Sequence, residues 1–217
     1  MADKLIAYTV ALCCVISLPA LAGPAITIGK PGPTFLDSNG TYGFAFTLQD
    51  AETVRALGVY DDGQDGLLGA ADVGVWDQDG NLLAETSISA GTSGQLIGAF
   101  RYAGIAPLAL LAQTAYFVGG FQPSDPITSF NIGNLFSGTA GVAAIDPNIV
   151  SIFDYEAVGG SLAWPYPNTR GIADGAYLAA NFTTDFVPIP SPEPASLAIM
   201  GTGLAGMTSL YRRKAKR

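Results

Sequence analysis

The sequence predicts an all-β body, an antiparallel β-sandwich or jelly roll, set between an N-terminal signal helix and a C-terminal single transmembrane helix. Three observations carry this. Large residues recur at every second position in several segments, Gly-, Asp-, Asn- and Pro-rich turns separate those segments, and no part of the body sustains a 3.6-residue period. Alternation places one set of side chains on one sheet face, so seven or more such strands need a second layer to cover them.

The first element is a leader. Met1 to Ala22 has a charged start at Lys4, an apolar stretch from Leu5 to Leu18, then Pro19 and the small-residue pattern Ala20-Leu21-Ala22 before Gly23. This is the layout of a secretory signal peptide, and it is set aside from the fold. Both cysteines, Cys13 and Cys14, lie inside it, so the processed chain is expected to have no thiol and no disulfide.

The body runs from Gly23 to about Pro190, a length that fits one domain. Its clearest strand is Tyr42 to Leu48, with large residues at 42, 44, 46 and 48. Thr53 to Tyr60, Val73 to Trp76, Leu82 to Ser89, Leu96 to Tyr102 and Ala115 to Phe121 follow the same pattern, and Ala176 to Thr183 reads as the last strand. Ile105 to Gln113 fits either one helical turn or an apolar strand. The stretch from Pro123 to Tyr166 reads as long loops with one or two strands, such as Asn148 to Phe153. Tyr60 and Trp76 lie among alternating apolar residues and read as core.

The final element is a three-part tail, residues 191–217. Pro192 and Pro194 break the chain, because proline lacks a donor and restricts the residue before it. Ala195 to Tyr211 then carries no charge, and as a helix it would span ~25 Å, close to the least that crosses a bilayer. Arg212, Arg213, Lys214, Lys216 and Arg217 close the chain and would hold that end on the cytoplasmic side.

Pro192-Glu193-Pro194, the short Gly/Ala/Leu-rich segment and the basic cluster together resemble the PEP-CTERM sorting signal of Gram-negative bacteria that secrete exopolysaccharide. The resemblance implies processing at the tripeptide by a membrane-embedded exosortase, a transient hold in the inner membrane, and release to the cell surface or extracellular matrix. The plainer alternative is a tail anchor with a proline linker. Within the body, Gly58-Val59-Tyr60-Asp61 recurs as Gly74-Val75-Trp76-Asp77, and each copy runs into an acidic, Gly-containing turn. From about Tyr42 to Phe121 the sequence resembles an uncharacterised β-sandwich domain of exported bacterial proteins, a family that brings no catalytic residues with it.

Charge and composition exclude several functions. Between Gly23 and Pro190 16 acidic residues face four basic ones, a net charge of −12, which repels phosphate and excludes nucleic acid as a partner. With no histidine anywhere and no cysteine after processing, the chain cannot build a Ser-His-Asp triad, a Cys-His pair or a His/Cys zinc site. A non-enzymatic role is therefore expected. The alternative is a carbohydrate-active enzyme of the paired-carboxylate type, which needs only two acids such as Glu52, Glu85 or Glu156.

Two candidate sites remain. No cofactor is required, but calcium is the one the acidic turns would take, through Asp61, Asp62 and Asp65 with Asp77 or Asp79 from the neighbouring turn. Asp61, Asp65, Gly66 and Asp72 fall at positions 1, 5, 6 and 12 of an EF-hand-type loop, but Gly63 occupies position 3 and flanking helices are lacking, so this is not an EF-hand. The competing reading is that Asp and Gly are good turn formers. For carbohydrate, Trp164 and Tyr166 in the stiff run Trp164-Pro165-Tyr166-Pro167 offer aromatic faces for polysaccharide rings, or else they close one end of the core.

Overall fold

The computed structural model describes residues 23–29, 34–35, 40–124, 127–130, 142–164 and 176–188. The leader 1–22, Tyr166, and the whole tail with Pro192, Glu193, Pro194 and its basic residues lie outside them, as do both expected terminal helices. Among the described residues the protein is all-β, with antiparallel pairing throughout and a single 3-10 turn at Asp62–Gln64. No described helix is long and apolar enough to cross a membrane. The described strands all belong to one compact unit that closes at Phe186.

Nine of the strands make two sheets. The first has five strands in the order β12 (Ile149–Val158), β3 (Gly40–Leu48), β9 (Ala115–Phe121), β5 (Ala71–Asp77) and β6 (Leu82–Ile88). The second has four, in the order β14 (Ala180–Thr183), β4 (Glu52–Tyr60), β8 (Phe100–Leu110) and β7 (Gln95–Ile97). Short strands form two further sheets: β1 (Ile26–Ile28) with β11 (Val142–Ile145), and β13 (Ala176–Leu178), β10 (Ile127–Phe130) and β2 (Thr34–Phe35) in that order.

Alternation sets the core, as the sequence predicts. Phe44, Phe46 and Leu48 of β3 point into one buried cluster with Val73 and Val75 of β5 and Val118 of β9. The same cluster takes Val54, Leu57 and Val59 of β4, Phe100 and Tyr102 of β8, and Phe182 of β14. Phe182 joins the two sets directly: its ring lies 4.6 Å from that of Phe46 and 6.4 Å from that of Phe44. Aromatic pairs at such separations add about 0.5–1.5 kcal/mol beyond the area they bury.

Several expectations change in detail. Ile105 to Gln113 is strand as far as Leu110, resolving the helix-or-strand ambiguity in favour of β8. The single strand expected over Leu96 to Tyr102 is two, because Gly98 takes a left-handed φ of 61° and turns β7 back onto β8 with Ile97 opposite Phe100. The vague stretch after Pro123 supplies β10, β11 and β12, and β12 pairs along the length of β3.

The opposite face of the five-stranded sheet carries its own order. Directly paired across β3, β9 and β5 are Ala45, Phe117 and Trp76, and the next outward row consists of Gly43, Gly119 and Gly74. A Cβ on Gly74 would stand 2.8 Å from the Trp76 ring, so the glycines are what let the indole lie flat. Trp76 is buried as expected, yet in a second cluster outside the main core.

Candidate functional site

The acidic loop after β4 is built around an ion pair. Asp61 is buried, and its Oδ2 accepts from Arg101 Nε at 2.7 Å while both carboxylate oxygens accept from the Gly66 N–H. Arg101 also donates to the Gly94 and Gln64 carbonyls, so it ties the loop to the strand region before β7. The β4–β8 register explains the meeting, since Val59 faces Arg101 and the chain then carries Asp61 past it. Of the three residues expected as calcium ligands, Asp61 is thus turned inward, and Asp62 accepts from the Tyr60 hydroxyl at 3.3 Å. The structure does not bring Asp61, Asp62 and Asp65 together, and no three described acids gather where they could hold a metal ion.

The second acidic turn is a hairpin closing on itself. Asp77 Oδ1 accepts from the N–H groups of Asp79 and Asn81, each at 2.9 Å, and Asp77 Oδ2 accepts from Asn81 Nδ2 at 2.8 Å. Those bonds, first the one from the Asn81 side chain, hold the Asp77 carboxyl below the usual carboxylate range. The residues do what Asp and Asn do best in turns, satisfying their own backbone.

Trp164 packs on the outer face of the five-stranded sheet. Its ring meets Phe117 edge-on at 6.2 Å, lies over Gly80 of the hairpin, and joins Leu162 in covering Trp76, Phe117 and Ala45. Thr41 holds the covering segment in place: its Oγ1 accepts from the Ala163 N–H at 2.9 Å and donates to the Ser161 carbonyl. Half-buried in this position, Trp164 covers the outside of a sheet rather than the end of the main core. Its expected companion, Tyr166, lies outside the described residues.

One carboxylate pairing was not visible in the sequence. Asn148 Nδ2 donates to Glu52 Oε2 at 3.0 Å and to the Asp50 carbonyl, while Asp146 Oδ1 accepts from the Asn148 N–H. Burial raises the Asp146 carboxyl, and the Glu52 carboxylate adds to that rise against the lowering effect of the Asn148 N–H. These groups stitch the turn before β12 to the start of β4. Glu85 instead lines a groove of about 440 Å³ between β6 and the far half of β8, with Leu83, Ile105, Pro107 and Leu108 beside it.

The decisive match lies at the other end of the chain. Residues 192–214 fit the model of the PEP-CTERM protein-sorting motif. The chain carries a PEP-CTERM sorting signal. The match starts at Pro192, the first residue of the expected tripeptide, and ends at Lys214 inside the basic cluster. A PEP-CTERM signal marks an exported chain handled by an exosortase at the membrane. No curated protein and no solved structure matches this chain, so the body's resemblance to a sandwich domain of exported proteins rests on its own residues.

Proposed function

We propose that the PEP-CTERM signal delivers a non-enzymatic β-sandwich body to the cell surface or extracellular matrix, where it serves as a structural or adhesive component that contacts exopolysaccharide. The observation that carries this is the sorting motif at residues 192–214, joined to a body without histidine and, after leader removal, without cysteine. The sandwich reading draws support from the shared core and from Phe182 reaching across to Phe44 and Phe46. In the producing cell, the chain lacking Pro192-Glu193-Pro194 should stay in the membrane fraction while the intact chain reaches the surface or medium. Equal distribution of the two would overturn the sorting half of the proposal.

Polysaccharide contact has its own test. Trp164→Leu keeps an apolar cover on Phe117 but loses the flat ring a sugar would stack on. Retention of the full chain on the cell's own polysaccharide, weakened in that variant, supports binding; no retention of the intact chain sinks it. For the enzymatic alternative, Glu52 and Asp146 are an interacting acid pair, and hydrolysis of matrix glycans that is lost in Glu52→Gln would favour it.

A further inference from the structure

The two ends of the body are sewn together by one buried side chain. Asn181, fully buried in β14, accepts from the Ile26 N–H through Oδ1 at 3.2 Å and donates through Nδ2 to the Ile26 carbonyl at 2.7 Å. Its amide thus pairs with Ile26 as a strand's backbone would, and its Oδ1 also accepts from the Phe182 N–H. Around it the Ala25 N–H donates to the Phe182 carbonyl at 2.9 Å, Pro24 bridges Thr183, and the Thr184 N–H donates to the Gly23 carbonyl. On its other side the first segment receives the Asp146 N–H on the Ala25 carbonyl and pairs with β11.

We propose that this seam is a closing latch. The body reaches its locked state only when residues 23–28 and 179–184 are both present and joined, which makes β14 the last strand to commit. Three features support the order of events. Asn181 and Ile26 are 155 positions apart, so their pairing carries the closure entropy of nearly the whole body. β14 has only four residues and pairs with β4 on one side, so it brings little stability of its own before the seam forms. Yet it sets Phe182 from the four-stranded sheet against Phe44 and Phe46 of the five-stranded sheet, so the core stays open on that side until it arrives. β14 ends at Thr183, shortly before the sorting motif begins at Pro192. A chain threaded outward N-terminus first would therefore stay unlocked until the sorting signal itself is next to pass. This last step rests on the export reading; the latch does not.

Native-state hydrogen exchange on the purified full chain tests the latch without any sorting enzyme. The amides of Ala25, Ile26, Phe182 and Thr184 should exchange together and faster than those of β3 and β9. Asn181→Leu, similar in size but unable to bond Ile26, should speed that group by about tenfold or more and leave β3 and β9 unchanged. Exchange of the four amides at the same rate as the β3–β9 core, or at unrelated rates, would overturn the proposal. A second readout covers a variant that fails to fold. Chains ended after Leu178 should be digested throughout by a nonspecific protease, whereas chains ended after Pro190 should resist. Resistance of the shorter chain would also overturn it.

Discussion

Arg101 spends each of its three guanidinium nitrogens on the loop and strand region around it, one on Asp61 and two on backbone carbonyls. Removing one partner of such a buried pair strands the other, which costs about 3–5 kcal/mol, whereas removing both leaves no unmatched charge. Asp61→Ala should therefore be far less stable in urea unfolding than the double variant Asp61→Ala/Arg101→Met. If the single change costs under ~1 kcal/mol, the clamp is not structural. Asp146 gives a pH-dependent counterpart. Its folded-state pKa is raised, so ionising it opposes folding, and the stability tied to its proton is lost as pH climbs through the raised value. Asp146→Asn keeps an oxygen for the Asn148 N–H and cannot ionise. The variant should gain on the natural chain at neutral pH, and the gap should close as the solution is acidified. Parallel stability profiles for the two would refute the assignment.

At the scale of elements, Trp164 and its strap test how the outer face is held. A half-buried tryptophan lost to alanine should cost ~2 kcal/mol, below the 3–5 kcal/mol of a core site, and Thr41→Val should cost less by freeing only the Ala163 N–H and the Ser161 carbonyl. Thermal melts that rank Thr41→Val above Trp164→Ala in damage would mean the strap is held by its polar contacts. Much at this scale was legible. The period of two located β3, β4, β5, β6 and β9, and the Asp77–Asn81 hairpin was readable from its turn residues. What escaped was fixed by distant partners. Strands β1, β2, β10 and β11 are two to four residues long, too short for alternation to show, and they exist because remote segments pair with them. Asp61 looked like a calcium ligand because its partner is 40 residues away and comes near only through the β4–β8 register. Trp76 had a signal that could have placed it. Val73 and Val75 alternate with Gly74 and Trp76, so the tryptophan had to share the glycine's face rather than the valines'.

For the molecule as a whole, each large sheet has edges without a paired neighbour among the described residues, and two such stretches adjoin: β6, and β8 beyond its pairing with β7. Exposed edges of this kind invite pairing with another chain unless something blunts them. Pro107 puts a position without an N–H into the free stretch of β8, and Glu85 sets an exposed charge on β6 at the mouth of the groove between them. Replacing both, as Glu85→Leu/Pro107→Val, should make the chain self-associate more strongly than the natural one as concentration rises in sedimentation velocity. No change in the double variant would mean the edges are protected by shape alone. Exported proteins meet their own copies at high density wherever they collect, and a body that holds no cysteine between residues 23 and 190 has no disulfide within it to limit how those copies join. Two substitutions' worth of chemistry at the sheet margins, a missing donor and a stray carboxylate, would then separate a coat of discrete particles from a fibre.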